Sequence, residues 1–335
     1  MSEVTVKQRD KSIDIAKGIG IILVVYGHLA CPIKEEIYLF HMPLFFLLSG
    51  YFFSIKESLR DFLVKKTKAL LLPFCLFYAL SFIYSYFYGA HDNLKDFVYS
   101  FKSFTDVDGP LWFLLSLYEI FIICFIVEKY LHSSIWKFVI AILITLLGYL
   151  MAMKKIFIPF CYLSQAFLGY AFFYFGFQIK RYGVLLHKSW SKYIVVLSII
   201  FYGIGIVRHV LTEIRWLIID HTYILFFLPA LGGSLLVIYI SRYLQDKRYA
   251  RWLAYLGKNS LLIMCVHMPL VRLVYAFLLP GLRYYYSLIG NSTVTDGAMI
   301  GGRICSSLTL IILVPLSLYV GLLIKKIFPF CFVKR

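Results

Sequence analysis

Charged side chains are scarce in this sequence. They make up 15% of its 335 residues, against roughly 25% in an average soluble domain. Acidic residues are the scarcest, with 17 Asp and Glu against 34 Lys and Arg. Apolar residues reach 61%, and a soluble fold could not cover so much apolar surface with so few charges. The composition therefore excludes a soluble globular protein and a disordered chain, and it predicts an integral membrane protein.

Paired cysteines are also missing, and a cleavable leader is not expected. None of the seven cysteines forms a Cys-x-x-Cys pair or follows the spacing of metal ligands, so we expect packing residues and neither a disulfide framework nor a metal site. Asp14 and Lys17 interrupt the first apolar run, which argues against a signal peptide.

Ten apolar runs are present, and each is long enough to cross a membrane as a helix of about 20 residues. They cover approximately 13–31, 37–55, 69–88, 111–128, 135–152, 160–179, 192–209, 221–241, 259–279 and 304–327. Ten such helices use about 200 residues, which leaves only short loops. We therefore predict one integral-membrane domain over residues 1–335, an all-α polytopic bundle of about ten transmembrane helices.

The basic residues predict the orientation of this bundle. More than twice as many Lys and Arg lie in the segments on the side of the amino terminus as on the opposite side. Cytoplasmic loops carry such an excess. The net charge of +17 is therefore interpreted as this bias, and not as a surface for nucleic acid. Both termini are predicted to be cytoplasmic.

Titratable side chains inside spans cost free energy and are candidates for function. Lys17 and His28 are eleven residues apart in the first span, so they share a helix face about 16 Å apart along the axis. Asp14 precedes Lys17 by one turn, a spacing that permits an ion pair. His41, a second catalytic candidate, begins the next span and should lie at the depth of His28. The alternatives are an interfacial Asp14–Lys17 pair whose lysine snorkels and a core histidine at position 28.

A family resemblance is visible from Arg9 to Phe53. This segment resembles the start of the membrane-bound acyltransferase-3 family, whose signature of Arg or Lys, ten residues and His falls on Lys17 and His28. The second span, FHMPLFFLLSGY over 40–51, is similar to the family's second motif.

Three further motifs follow in the family's order, and they extend the likeness over most of the chain. They are the basic cluster at 65–68 before Leu-Pro-Phe, the Gly-Pro-Leu-Trp-Phe-Leu stretch at 109–114, and the Asn-Ser-Leu to His stretch at 259–267. Lysine stands at 17 and in the 65–68 cluster where the family often has arginine. Lysine keeps the positive charge but lacks the planar fork of the guanidinium.

The resemblance implies an O-acyltransferase in the bacterial inner membrane. The implied donor is cytosolic acetyl-CoA, and the implied acceptor is a hydroxyl of a cell-surface glycan or of its lipid-linked precursor. The residue matching His28 would be catalytic, as the base that takes the hydroxyl proton or as a carrier of the acetyl group. Membrane lipids are the other expected partners, nucleic acid is not expected, and the oligomeric state is left open.

The donor site is predicted at the cytoplasmic face. We expect Lys17, Lys65, Lys66 and Lys68 to hold the phosphates and adenine of acetyl-CoA. The pantetheine arm would pass Gly18 and Gly20 to bring the thioester to His28. The alternative interpretation of the 65–68 cluster is ordinary positive-inside anchoring.

Four other residues are weaker candidates. Glu119, in the fourth span, is a catalytic candidate that would orient His28 or His41; the alternative is a bond to a neighbouring helix. Ser49, Trp112 and His267 are predicted to have structural or orienting roles, as is Asp14 of the first span.

A second function class stays open at this point. A transporter or flippase for a lipid-linked or anionic solute would also use embedded charges and a basic inner vestibule. A transporter would more often show a repeat between its two halves, and no clear repeat is visible in this sequence.

Overall fold

The computed structural model describes residues 10–29, 31–87, 109–159, 161–183, 188–219, 222–288 and 294–332. Within these ranges it describes every side chain except those at 188–191, 272, 275–276, 278–288 and 294–305. The prediction of cytoplasmic termini falls on residues 1–9 and 333–335, which lie outside the described residues.

A long helix coincides with each of the ten predicted spans. The helices are α1 (Lys11–Gly27), α2 (Lys34–Tyr51), α4 (Leu72–Phe87), α5 (Trp112–Tyr130), α6 (Ser134–Met153), α7 (Leu163–Arg181), α8 (Lys188–Val207), α9 (Tyr223–Leu244), α11 (Ser260–Leu288) and α12 (Val294–Ile327). The helical bundle is therefore confirmed as a fold.

Membrane crossing is supported by length and composition for part of this set. Within the described ranges, five helical segments are long and apolar enough to span a bilayer. These segments are Leu59–Phe87, Gly109–Tyr130, Ser134–Met153, Tyr223–Leu244 and Ser306–Ile327. The chain is a helical membrane protein, and the number of ten crossings stays a prediction.

Two short helices add to the predicted set. Helix α3 (Leu59–Lys66) begins at Ser58, whose hydroxyl accepts from the backbone N–H of Asp61, and it continues through a π-helical turn at Thr67–Leu71 into α4. Helix α10 (Ala250–Lys258) precedes α11. Each of them alone is too short for a span, so the apolar runs of the sequence did not mark them as separate helices.

The last two long helices exceed the spans predicted over 259–279 and 304–327. Hydropathy marks the membrane core, but a helix continues in water as long as its backbone hydrogen bonds are made. Helix α11 therefore runs on to Leu288 and α12 begins at Val294.

Close backbone approach joins the central helices. Gly50 of α2 and Gly176 of α7 lie against each other's helix, because a Cβ at either would overlap the carbonyl oxygen of Phe173 or Leu47. Small residues allow such contact where the hydrophobic effect does not drive helix association. Around this crossing lies an aromatic core whose fully buried members include Phe46, Tyr170, Phe172 and Phe173.

A small hairpin lies between α8 and α9. Strand β1 (Thr212–Glu213) pairs antiparallel with β2 (Ile218–Ile219), with Thr212 opposite Ile219 and Glu213 opposite Ile218. A 3₁₀ turn at Ile214–Trp216 connects the strands. This hairpin contacts the starts of α2 and α7.

Candidate active site

Three histidines share one local geometry. The Nδ1 atoms of His28 and His41 donate to the carbonyl oxygens of Val24 and Ile37, at 2.7 and 2.8 Å. Nδ1 of His267 donates to the carbonyl oxygen of Met264 at 2.8 Å. In a neutral imidazole, a proton fixed on Nδ1 leaves Nε2 as the acceptor nitrogen. Each helix therefore holds its histidine in the tautomer that serves as a base through Nε2.

His28 and His41 line one cavity of about 130 Å³. His28 caps the carboxyl end of α1, and His41 lies two turns into α2, so the short connection between the two helices brings both rings to this cavity. Tyr38 lies between them, with its ring centroid 6.1 Å from that of His28 and 4.8 Å from that of His41. The remaining lining residues are Val24, Met42, Phe45, Pro110, Trp112, Glu213, Ile214, Arg215 and Met264.

His267 lies behind this cavity and against His28. It is fully buried, and its ring centroid is 5.1 Å from that of His28 in an edge-on contact. Its Nε2 is buried and has no hydrogen-bond partner among the described residues. The orienting role predicted for His267 is compatible with this contact, because the ring limits the positions open to His28.

The cluster of histidines is not arranged as a metal centre. Among the described residues, no group of three His, Cys, Asp or Glu side chains is placed to hold a metal ion.

Two charged residues of the hairpin line the site, and neither was predicted from the sequence. Glu213 and Arg215 line the cavity with His28 and His41. Burial lowers the pKa of Arg215 to about 10, while the nearby Tyr38 acts in the opposite direction. Burial raises the pKa of Glu213, and Lys34 opposes this shift. The available signal was the apolar surroundings of Arg215, which lies between Ile214 and Trp216 in a segment predicted as an ordinary loop.

Glu119 forms a hydrogen bond with the segment just before α7. Its Oε1 accepts from the backbone N–H of Tyr162, just before α7, at 3.0 Å. It is not among the residues that line the histidine cavity. This is the bond to a neighbouring helix that the sequence left open, and a catalytic role for Glu119 stays a prediction.

The opposite end of the bundle carries a second charged cluster, near an exposed aromatic ring. Lys17 of α1 lies 4.7 Å from the ring centroid of Phe52, which follows α2 and is 47% exposed. Lys180 of α7 lies 5.5 Å from the ring centroids of both Phe52 and Tyr51. Three helices therefore bring two ammonium groups to one aromatic surface. Lys180 and Phe52 were not predicted, because nothing in the sequence shows that α7 ends beside α2.

The predicted donor lysines at 65–68 have other surroundings. Lys65 forms an ion pair with Glu57. Lys66 lies 3.3 Å from the ring centroid of Phe121, where it covers the aromatic face. Lys68 is exposed. Two of the three charges are therefore engaged within the protein, and their role in donor binding stays a prediction.

The predicted path for the pantetheine arm along α1 is corrected by the structure. A Cβ at Gly18 would overlap the carbonyl oxygen of Leu253 in α10, and one at Gly20 would lie 3.1 Å from Leu44 and Phe45 side chains. The path is wrong at these positions because protein atoms already fill the space. Both glycines serve close helix packing.

The remaining candidates lie as follows. Asp14 is buried in the first turn of α1. Ser49 is partly exposed near the end of α2. Trp112 begins α5, is 5% exposed and forms part of the cavity wall. Their structural or orienting roles stay predictions.

Comparison with known proteins gives one family and two relatives. A family model described as "Acyltransferase domain" matches residues 10–325. The chain is 32% identical over 153 residues to "Nodulation protein NolL" of Mesorhizobium japonicum, which covers 38% of each chain. It is 30% identical over 149 residues to the protein of that name from Sinorhizobium fredii, over 38% of this chain and 39% of the relative. The match thus spans about two fifths of either relative, and no solved structure matches.

Proposed function

Because this chain belongs to the acyltransferase-3 family, whose domain model covers residues 10–325, we propose that it moves an acetyl group from acetyl-CoA to a glycan hydroxyl. The chain is a membrane acyltransferase, and the proposal concerns its donor, acceptor and mechanism. The acceptor is a hydroxyl of a cell-surface glycan or of its lipid-linked precursor. The protein acts in the bacterial inner membrane, with acetyl-CoA arriving from the cytosol.

One observation carries the proposal: His28 and His41 share a cavity with their Nδ1 atoms already bonded. A hydroxyl is a poor nucleophile until a base removes its proton. Nε2 of a histidine whose Nδ1–H is held by a carbonyl oxygen serves as that base without a change of tautomer. His28 is the better candidate because it lies partly exposed at the cavity, whereas His41 is 4% exposed.

The chemical step follows from this arrangement. The hydroxyl oxygen forms a bond to the thioester carbonyl carbon while its proton passes to Nε2 of His28. The carbon–sulfur bond then breaks, and the CoA sulfur leaves as a thiolate. This thiolate takes the proton from Nε2, so that an acetyl ester and free CoA are formed and His28 returns to its neutral state. Direct transfer needs one acyl-transfer step, and it is the mechanism that we propose.

The rival mechanism makes His28 an acyl carrier, in which Nε2 attacks the thioester and later gives the acetyl group to the hydroxyl. We expect no stable label on the protein when purified material in lipid vesicles receives acetyl-labelled acetyl-CoA and no acceptor. Mass spectrometry of the peptide that contains His28 measures this directly. If His28 is acetylated, the carrier mechanism replaces direct transfer, and His28 is still the catalytic residue.

We expect the donor's phosphates to bind near Lys17 and Lys180. A variant with both residues changed to Gln should raise the KM for acetyl-CoA about tenfold, equivalent to about 1.4 kcal/mol of lost binding. Its kcat should change little, since neither lysine lies at the histidine cavity. The wild-type KM should itself rise with salt, because exposed charge pairs are screened.

The lysine cluster at 65–68 supplies the matched comparison. A variant with Lys65 and Lys68 changed to Gln removes the same charge from the cytoplasmic face. We expect its donor KM to stay near the wild-type value, because Lys65 is already paired with Glu57. The opposite pair of results would place the donor site at the 65–68 cluster. These results are a raised donor KM in this variant and an unchanged donor KM when Lys17 and Lys180 are changed to Gln.

A further inference from the structure

The hairpin between α8 and α9 is fixed to three other parts of the bundle. Gln165 of α7 donates its Nε2–H to the carbonyl oxygen of Arg215 at 2.8 Å. Lys155, which follows α6, donates to the carbonyl oxygen of Leu217 at 2.8 Å. The hydroxyl of Thr212 bonds the carbonyl oxygen of Tyr38 in α2 at 3.5 Å. These bonds hold the backbone on both sides of Arg215 in one position.

The backbone conformation and the buried side chains of the hairpin also hold it in one position. Leu217 adopts a left-handed conformation with φ of 51°, which is unfavourable for a side chain branched beyond Cβ and needs support from its surroundings. The packing around the hairpin supplies that support, because Leu217 and Ile214 are only 1% and 4% exposed. The turn that carries Arg215 is therefore flanked by two buried side chains.

Arg215 lies at the histidine cavity. The guanidinium of Arg215 lies over the ring of Trp216, 4.6 Å from its centroid. A Cβ at Gly109 would lie 2.8 Å from Nη1 of Arg215. The absence of a side chain at Gly109, just before α5, therefore leaves room for the guanidinium. Arg215 and His28 both line this cavity of about 130 Å³.

A cation in this position matches a need of the proposed reaction. Attack on a thioester places negative charge on the carbonyl oxygen, and donors that are already in place for this charge lower the barrier. A guanidinium remains charged at neutral pH and presents several N–H donors in a plane. Because the bundle holds the hairpin in place, little reorganisation is needed when the charge develops.

We infer that Arg215 holds the thioester carbonyl oxygen and stabilises the oxyanion formed when the acceptor hydroxyl attacks. This inference rests on the proposed function. The guanidinium donates hydrogen bonds to the oxygen and exchanges no proton, so the balance of the reaction at His28 is unchanged. Arg215 is in this account a catalytic residue, delivered to the cavity by a hairpin outside the predicted spans.

The test compares kcat and donor KM for Arg215→Gln, Arg215→Lys and Gly109→Ala in purified protein in vesicles. Arg215→Gln should lower kcat about 10²–10³-fold, as removal of an oxyanion donor does elsewhere, with little change in donor KM. Arg215→Lys keeps the charge without the planar fork and should lie between this variant and wild type. Gly109→Ala should also lower kcat, because it moves the guanidinium and keeps its charge. Arg208→Gln, at an exposed position before the same hairpin, is the control and should stay near wild type.

Thermal unfolding in the same preparations shows which variants are folded. If Arg215→Gln does not fold, Gly109→Ala still tests the inference. A kcat within about threefold of wild type in folded Arg215→Gln or Gly109→Ala would overturn the inference and leave the proposed function intact. A raised acceptor KM with unchanged kcat would also overturn it, because Arg215 would then recognise the acceptor. Absence of transfer in wild type would overturn the proposed function and this inference together.

Discussion

Replacing His28 by Gln is expected to lower acetyl transfer about 10²–10⁴-fold, the usual loss when a general base is removed. Gln keeps a hydrogen-bonding group of similar reach but takes up no proton at neutral pH. The fold should survive, because the bond that His28 makes is to the carbonyl oxygen of Val24 in its own helix. Release of free CoA thiol from acetyl-CoA, measured with purified protein in vesicles and acceptor-bearing membranes, gives the rate.

His132→Gln is the matched control for this variant. His132 is an exposed histidine between α5 and α6, away from the cavity, and its replacement should leave the rate unchanged. A His28→Gln rate close to wild type would remove both the base and the carrier mechanisms from His28. His41 would then be the next candidate, because it lines the same cavity with its Nδ1 already bonded.

Replacing Gly176 by Ala is expected to destabilise the bundle strongly. The new methyl group would overlap the carbonyl oxygen of Leu47, which is backbone and cannot rotate away. Overpacking of a well-packed core typically costs about 1–3 kcal/mol, and here α2 and α7 must separate around the aromatic core. The expected result is a lower thermal transition temperature in detergent and a smaller folded fraction on size-exclusion chromatography.

The control for this change is Gly203→Ala in α8. Among the described residues, no atom lies within 4 Å of a Cβ at Gly203, and Ala is the better helix former. This variant should be as stable as wild type or slightly more stable. Equal stability of Gly176→Ala and Gly203→Ala would contradict the tight α2–α7 crossing.

The long helices were predictable because lipid imposes one rule on every span. Lipid offers no water, so the backbone N–H and C=O groups of an apolar run must bond to each other in a helix. Helices α5 and α6 accordingly begin and end within two residues of the predicted bounds. The rule has no force outside the bilayer. For this reason the polar helix α3, the hairpin at 212–219 and the continuation of α11 to Leu288 could not be read from hydropathy.

The candidate site was predictable where neighbouring spans determine it. A short connection between antiparallel helices places His28 and His41 together, whatever the rest of the bundle does. Arg215 and Lys180 reach their places through contacts between residues far apart in the chain, with α2 and α7 as the shared supports. Charge alone could not rank the lysines either, since the ion pair of Lys65 with Glu57 and the position of Lys17 over the ring of Phe52 both result from the fold.

The most direct test of the central claim is mass spectrometry of surface glycans from cells that lack this gene and receive it back as wild type, His28→Gln or His132→Gln. The account predicts an acetyl ester on a glycan with wild type and His132→Gln, and its loss with His28→Gln at equal protein level in the membrane. Equal acetylation with His28→Gln, or glycans that are the same with and without the wild-type gene, would contradict the account.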